Sequence, residues 1–112
     1  MKISTAAQGT VVIMALKGNL LGGPDADAFY NEVKSYLDQG SRNFVLDLGD
    51  VKLMNSSGLG ILIKTLKPVR EAGGDVHLAC VTEKIDSLFV ITKLYQVFKS
   101  YNEVEQAVQA FA

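Results

Sequence analysis

FVLDLGDVKLMNSSGLGILIKTL, residues 44–66, is the stretch whose reading decides the fold. A short apolar run at 44–48 reaches Gly49-Asp50, a turn carries Asn55, Ser56 and Ser57, and then Leu59, Leu62, Ile63, Leu66 and Val69 recur at helical spacing. That order reads as strand, loop and buried helix, with two hydroxyls at the helix N-terminus. Backbone N–H groups in a first helical turn lack internal partners, and the macrodipole there favours negative charge. A serine in that position either caps the helix or, once phosphorylated, holds its phosphate in a favourable field. Gly58 and Gly60 each cost a helix roughly 1 kcal/mol relative to alanine. They point to a bare surface needed for close packing on a sheet or for the approach of a partner.

Outward from this segment the chain alternates. Residues 3–7 predict a weak strand, Gln8-Gly9 a tight turn, and 11–16 a strong strand that Lys17-Gly18-Asn19 ends; together they make an opening antiparallel hairpin. The 11–16 run is apolar at both alternating sets, as in a strand covered on both faces or by a partner. Pro24, Asp25 and Asp27 suit a first helical turn; Ala26, Phe29, Val33, Tyr36 and Leu37 form its apolar face, and Gly40 is the stop. Tyr30 and Lys34 fall at the solvent edge of that stripe. Residues 43–48 follow as a strand parallel to its predecessor, joined by a right-handed crossover.

Beyond Ser56, Pro68 bends or ends the helix, and Gly73-Gly74 closes it. Residues 75–80 are a strand, Thr82 is an N-cap for a short helix carrying Ile85, Leu88 and Phe89, and 97–100 make a short last strand. Asn102 with Glu105 reads as a capping pair for a final helix burying Val104, Val108 and Phe111. The order β-β-α-β-α-β-α-β-α defines an α/β fold with a mixed, mainly parallel sheet and helices packed on it.

Length and charge narrow the function. The 112 residues fit one domain, 1–112, able to bury roughly two-thirds of its unfolded surface. A net charge of -1 gives no clustered basic footprint for nucleic acid, and 48% hydrophobic with 21% charged residues is ordinary globular composition, without membrane insertion. The N-terminus lacks the apolar core and cleavage site of a secretory signal, so the chain reads as cytoplasmic. One cysteine and one histidine supply no metal-ligand spacing. Cys80 reads as a buried structural thiol and His77 as a strand residue at the sheet surface. A serine nucleophile would need a base, and nothing in the sequence brings His77 to the serines. Gly58-Leu59-Gly60 lacks the lysine and spacing of a phosphate loop, and the carboxylates after Gly22-Gly23 repel phosphate. No cofactor is indicated.

Asp50, Asn55, Ser56, Ser57, Gly58, Leu59 and Gly60 resemble the signature of the STAS family, the domain of anti-sigma factor antagonists and sulphate-transporter tails. The resemblance covers essentially the whole chain. It implies a sheet of four to five strands with about four helices, mostly on one side, and a non-enzymatic binding module. Its partner would be an anti-sigma factor that is also a serine kinase, and phosphorylation would release it. Ser57 is then the first choice of acceptor and Ser56 the second, with Asn55, Gly58, Ile61, Lys64 and Thr65 completing the partner-binding face. Independently of the resemblance, if Leu59, Leu62, Ile63, Leu66 and Val69 face the sheet, then Ser57, Ile61, Lys64, Thr65 and Pro68 occupy the outer flank, and Ile61 is the exposed apolar residue beside the hydroxyls; Asp50 is a turn residue near the site. The sequence departs from the family at Asn55, where aspartate is usual; asparagine caps equally well but brings no carboxylate charge. A constitutive scaffold subunit of a stress-signalling or lipid-transport assembly, binding through the same face without phosphorylation, is the other reading.

Overall fold

The computed structural model describes residues 1–111. Five strands lie in the order β1-β2-β3-β4-β5: β1 Lys2–Gln8, β2 Val11–Leu20, β3 Asn43–Met54, β4 Asp75–Ala79 and β5 Lys99–Tyr101. β1 is antiparallel to β2, and β2 to β5 are mutually parallel. Four α-helices, α1 Pro24–Asp38, α2 Ser56–Glu71, α3 Glu83–Ile91 and α4 Val104–Gln109, make the connections and the C-terminal cover.

Alternation along the strands builds two cores. Val12, Met14, Leu16, Phe44, Leu46, Leu48, Val76 and Leu78 meet Phe29 and Val33 of α1, Leu59, Leu62, Leu66 and Val69 of α2, and Ile85 and Phe89 of α3. On the opposite face Val11, Val45 and Ala79 meet Ala107 and Val108 of α4. The expectation of helices mostly on one side is met, and β2 is covered on both faces. Chain reversals close as the sequence predicts. Gly40, at φ +100°, ends α1 with its N–H donating to Leu37 O at 3.0 Å. At the end of α2, Gly73 N–H donates to Arg70 O and Gly74 N–H to Val69 O, both at 3.0 Å.

Several expectations are corrected. β2 and β3 do not stop at Lys17 and Gly49 but continue as a paired arm, Lys17 against Asp50, Gly18 against Val51 and Leu20 against Met54. Register shifts between Ala15 and Lys17 and between Gly18 and Asn19 absorb the irregular residues as bulges. Asp50 is therefore an exposed strand residue, not a turn residue. The last strand lies at Lys99–Tyr101 rather than 97–100. Thr82 stands at the N-cap of α3, but its Oγ1 makes no cap bond and is buried without a partner. The N-cap of α4 is Glu103, not Asn102, and no side chain caps it.

His77 is buried under α4 rather than lying on an open sheet face: its Nδ1 is 3.0 Å from Ala107 O and its ring stacks on Phe111 at 3.8 Å. Cys80 is half-buried, at φ +60°; burial raises its thiol pKa and the Asp47 carboxylate adds to the effect, both disfavouring the thiolate.

Pro68 neither ends nor interrupts α2, which is helical through to Glu71. The Lys64 carbonyl therefore faces a ring where a backbone donor would stand, a defect that costs about 3 kcal/mol in a helix interior. Loss of proline's restraint on the unfolded chain offsets about 0.4–1 kcal/mol. Pro68→Ala is expected to stabilise the domain by up to about 2 kcal/mol in urea denaturation; a lowered midpoint would mean that packing is shaped around the ring.

Candidate functional site

The paired arm of β2 and β3 carries two segments to one place: the loop after Leu20 and the turn at Asn55. Asn55, extended at φ -108° and ψ -179°, is the N-cap of α2, and its Oδ1 accepts a 2.8 Å hydrogen bond from Gly58 N–H. Its Nδ2 donates to Leu21 O at 3.2 Å and its backbone N–H to Leu20 O at 3.4 Å. Because Asn55 takes the capping role, Ser56 and Ser57 are freed from it. They occupy the first two helical positions, both are exposed, and neither hydroxyl hydrogen-bonds to another group among the described residues. The first turn holds no acidic residue, so the field at the hydroxyls is that of unpartnered N–H groups and the positive end of the dipole.

The two glycines of the motif do different work. Gly58 is buried, and a Cβ built on it would overlap the Leu20 carbonyl oxygen and stand 2.7 Å from its carbon. Gly60 has nothing within 4 Å of such a Cβ. Gly58 is therefore the close contact of helix with sheet, whereas Gly60 leaves bare backbone on the exposed side.

The α2 face differs from the sequence reading at three positions. Thr65 is 1% exposed and donates to Leu62 O at 2.7 Å, so it belongs to the buried stripe and not to a partner-binding face. Ile61 is half-buried and packs against the main core, so it is not the exposed apolar residue. Ile63, placed against the sheet by periodicity, is 41% exposed. Lys64 is on the surface, with Nζ 4.6 Å from the centre of the Tyr30 ring. Residues the sequence did not single out complete the rim. Leu21 and Leu53 are exposed apolar side chains on the loop and the arm, and Gly22 abuts Ser57, a Cβ on it standing 3.0 Å from Ser57 Cβ. The signals for them were the Gly22-Gly23-Pro24 run and an apolar residue just before Asn55.

The lone histidine lies across the sheet from these serines. Val76 and Leu78 point to the α2 side, while the alternate residue His77 points under α4. No group of three or more His, Cys, Asp or Glu residues arranged to hold a metal occurs among the described residues. No helix there is long and apolar enough to cross a membrane.

A mainly parallel sheet whose second helix opens on a capped, exposed serine pair defines a STAS domain, and the chain belongs to that family, whose model matches residues 2–107. Within the family it is similar to anti-sigma factor antagonists. It is 27% identical over 111 residues to BtrV of Bordetella bronchiseptica, a candidate anti-sigma factor antagonist, spanning 99% of this chain and 95% of that one. The crystal structure of TM1081 from Thermotoga maritima, another candidate antagonist, superposes with a TM-score of 0.88 at 26% identity, covering 96% of this chain and 92% of that one. The Bacillus cell fate determinant SpoIIAA, in its phosphorylated form, shares the fold at a TM-score of 0.76 and 15% identity, over 99% and 100% of the two chains.

Proposed function

We infer that the chain, as one domain over residues 1–112, is a non-enzymatic cytoplasmic regulator that binds a kinase-type anti-sigma factor through the first turn of α2. Phosphorylation of Ser57 releases it, with Ser56 as the second acceptor. The observation that carries this reading is the exposed, unbonded serine pair on a helix whose cap is supplied by Asn55. A serine that capped the helix would lose that bond on modification, and the helix would loosen; here the hydroxyls are spare. A phosphate at this end of α2 meets the favourable end of the dipole and no carboxylate in the first turn. Leu21, Leu53 and Ile63 are exposed apolar side chains of the loop, the arm and α2 on this part of the surface, with Lys64 on the helix and Lys17 and Lys52 beside Leu21. The likeness to antagonists supplies the class of partner.

Asn55 itself favours the second reading, a constitutive scaffold, because its amide brings no charge to the acceptor site. The deciding experiment is incubation with the anti-sigma kinase and ATP, followed by mass measurement and peptide mapping. One phosphate on Ser57, absent from Ser57→Ala, is expected. If the kinase modifies another antagonist under the same conditions but leaves both serines bare, the chain is a scaffold.

A further inference from the structure

We propose that Asn55 is a positioning residue for the serine pair: its carboxamide clasps the loop between β2 and α1 onto the first turn of α2, and this clasp sets how readily a kinase reaches Ser57. The proposal rests on the reading of Ser57 as an acceptor. One amide group makes two bonds in different directions. Oδ1 accepts from Gly58 N–H at 2.8 Å within its own helix, while Nδ2 donates at 3.2 Å to Leu21 O, 34 residues earlier. Reversing the amide would set donor against donor and acceptor against acceptor, so the two bonds together fix its orientation.

The residue after Leu21 lies beside the acceptor. A Cβ on Gly22 would stand 3.0 Å from Ser57 Cβ and 3.9 Å from Ser57 Oγ, so the loop walls one side of the hydroxyl. Gly22 and Gly23 have φ of +90° and +71°, conformations that glycine enters and leaves at little cost, and they serve as the hinge of that wall. Among the described residues, the side-chain hydrogen bond that this loop receives comes from Asn55. Phosphoryl transfer needs an unobstructed, aligned approach to Oγ. Ser57 is exposed on its other sides, so the loop restricts only the flank it walls; on this proposal the kinase engages the open loop, and its apparent affinity is the intrinsic affinity scaled by the open fraction.

Aspartate and serine at position 55 both keep the helix cap and lack the N–H that holds Leu21. Asn55→Asp also sets a carboxylate against the Leu21 carbonyl; Asn55→Ser removes the donor without adding charge. Losing one such hydrogen bond shifts the open fraction about fivefold.

The test pairs NMR relaxation-dispersion measurement of conformational exchange at the Leu21, Gly22 and Gly23 backbone amides with phosphorylation kinetics of the full chain, for the wild type and both variants. The open population at 21–23 is expected to rise about fivefold in both variants, with the thermal midpoint held by the remaining cap. The KM for the protein as kinase substrate is expected to fall by the same factor at unchanged kcat. Unchanged loop exchange in both variants overturns the clasp. A larger open population with unchanged KM overturns its link to Ser57. A wild-type chain that accepts no phosphate overturns the functional reading and the kinetic half with it, while the exchange data still decide whether the clasp exists.

Discussion

Gly58→Ala is expected to destabilise the domain by about 2–3 kcal/mol, although the same replacement in an open helix would stabilise it by roughly 1 kcal/mol. The added methyl group overlaps the backbone carbonyl of Leu20, and backbone cannot turn aside as a side chain does. α2 must lift off β2, which opens gaps around Leu59 and Leu62, both buried in the main core. For a domain of this size the loss lowers the melting temperature by about 10–20 °C. Gly60→Ala, two positions on and facing open space, is the control and should raise it. Thermal melts of the two variants check both signs; a Gly58→Ala protein as stable as the wild type would show that helix and strand do not meet at van der Waals distance.

Ser57→Asp is expected to fold as the wild type does and to bind the anti-sigma factor at least about 100-fold more weakly, whereas Ser57→Ala keeps its affinity. The carboxylate meets the N-terminal end of α2, where negative charge is favoured by roughly 0.3–1 kcal/mol, so the isolated domain has no reason to unfold. The loss arises at the interface. Burying an unpaired carboxylate against a surface that fitted a hydroxyl costs several kcal/mol, and each 1.4 kcal/mol is a factor of ten in Kd. Calorimetric titration against the partner, with circular dichroism of the free variants, separates the two effects. Retained binding by Ser57→Asp would move the interface away from the first turn of α2.

The contrast between Gly58 and Gly60 also shows what the sequence could and could not carry. Two glycines in a helix announced that bare surface was needed, but which of them met the sheet depended on the rotation of α2 about its axis. The same ambiguity exchanged Ile61 with Ile63 and hid Thr65. A periodicity of 3.6 identifies the centre of a buried stripe, here Leu59, Leu62, Leu66 and Val69, while its two flanks are equivalent until a neighbouring helix covers one. Thr65 joined the buried side by giving its hydroxyl to Leu62 O, a bond that composition does not signal.

Strand identity and order were legible because apolar runs and helical intervals alternate plainly. Strand ends were not: Gly18 and Asp50 are turn-forming residues that the arm holds in extended pairing, and Gly49 is absorbed in the irregularity just before Asp50. That arm is what carries Leu20 and Asn55 to a common point, so the misread ends concealed half of the candidate site. The hydroxyls themselves could be named from the motif, whereas Leu21 and Gly22 could not, because the contact between them and the serine turn spans the whole β2-to-β3 crossover.

The parallel arrangement of β2 to β5 bears on when the chain becomes competent. Only β1 and β2 pair locally as a hairpin; each later pairing waits for a helical crossover to close, a requirement that slows folding from the microseconds typical of helical bundles towards milliseconds or longer. The Leu20 carbonyl packed on Gly58 and the Leu21 carbonyl bound by Asn55 come into being only after β3 has docked beside β2. A chain in which β3 has not docked therefore carries both serines without the loop wall or the rim that frames them. Competence to engage a partner is thus a property of completed molecules, and incomplete ones in the same pool do not titrate it.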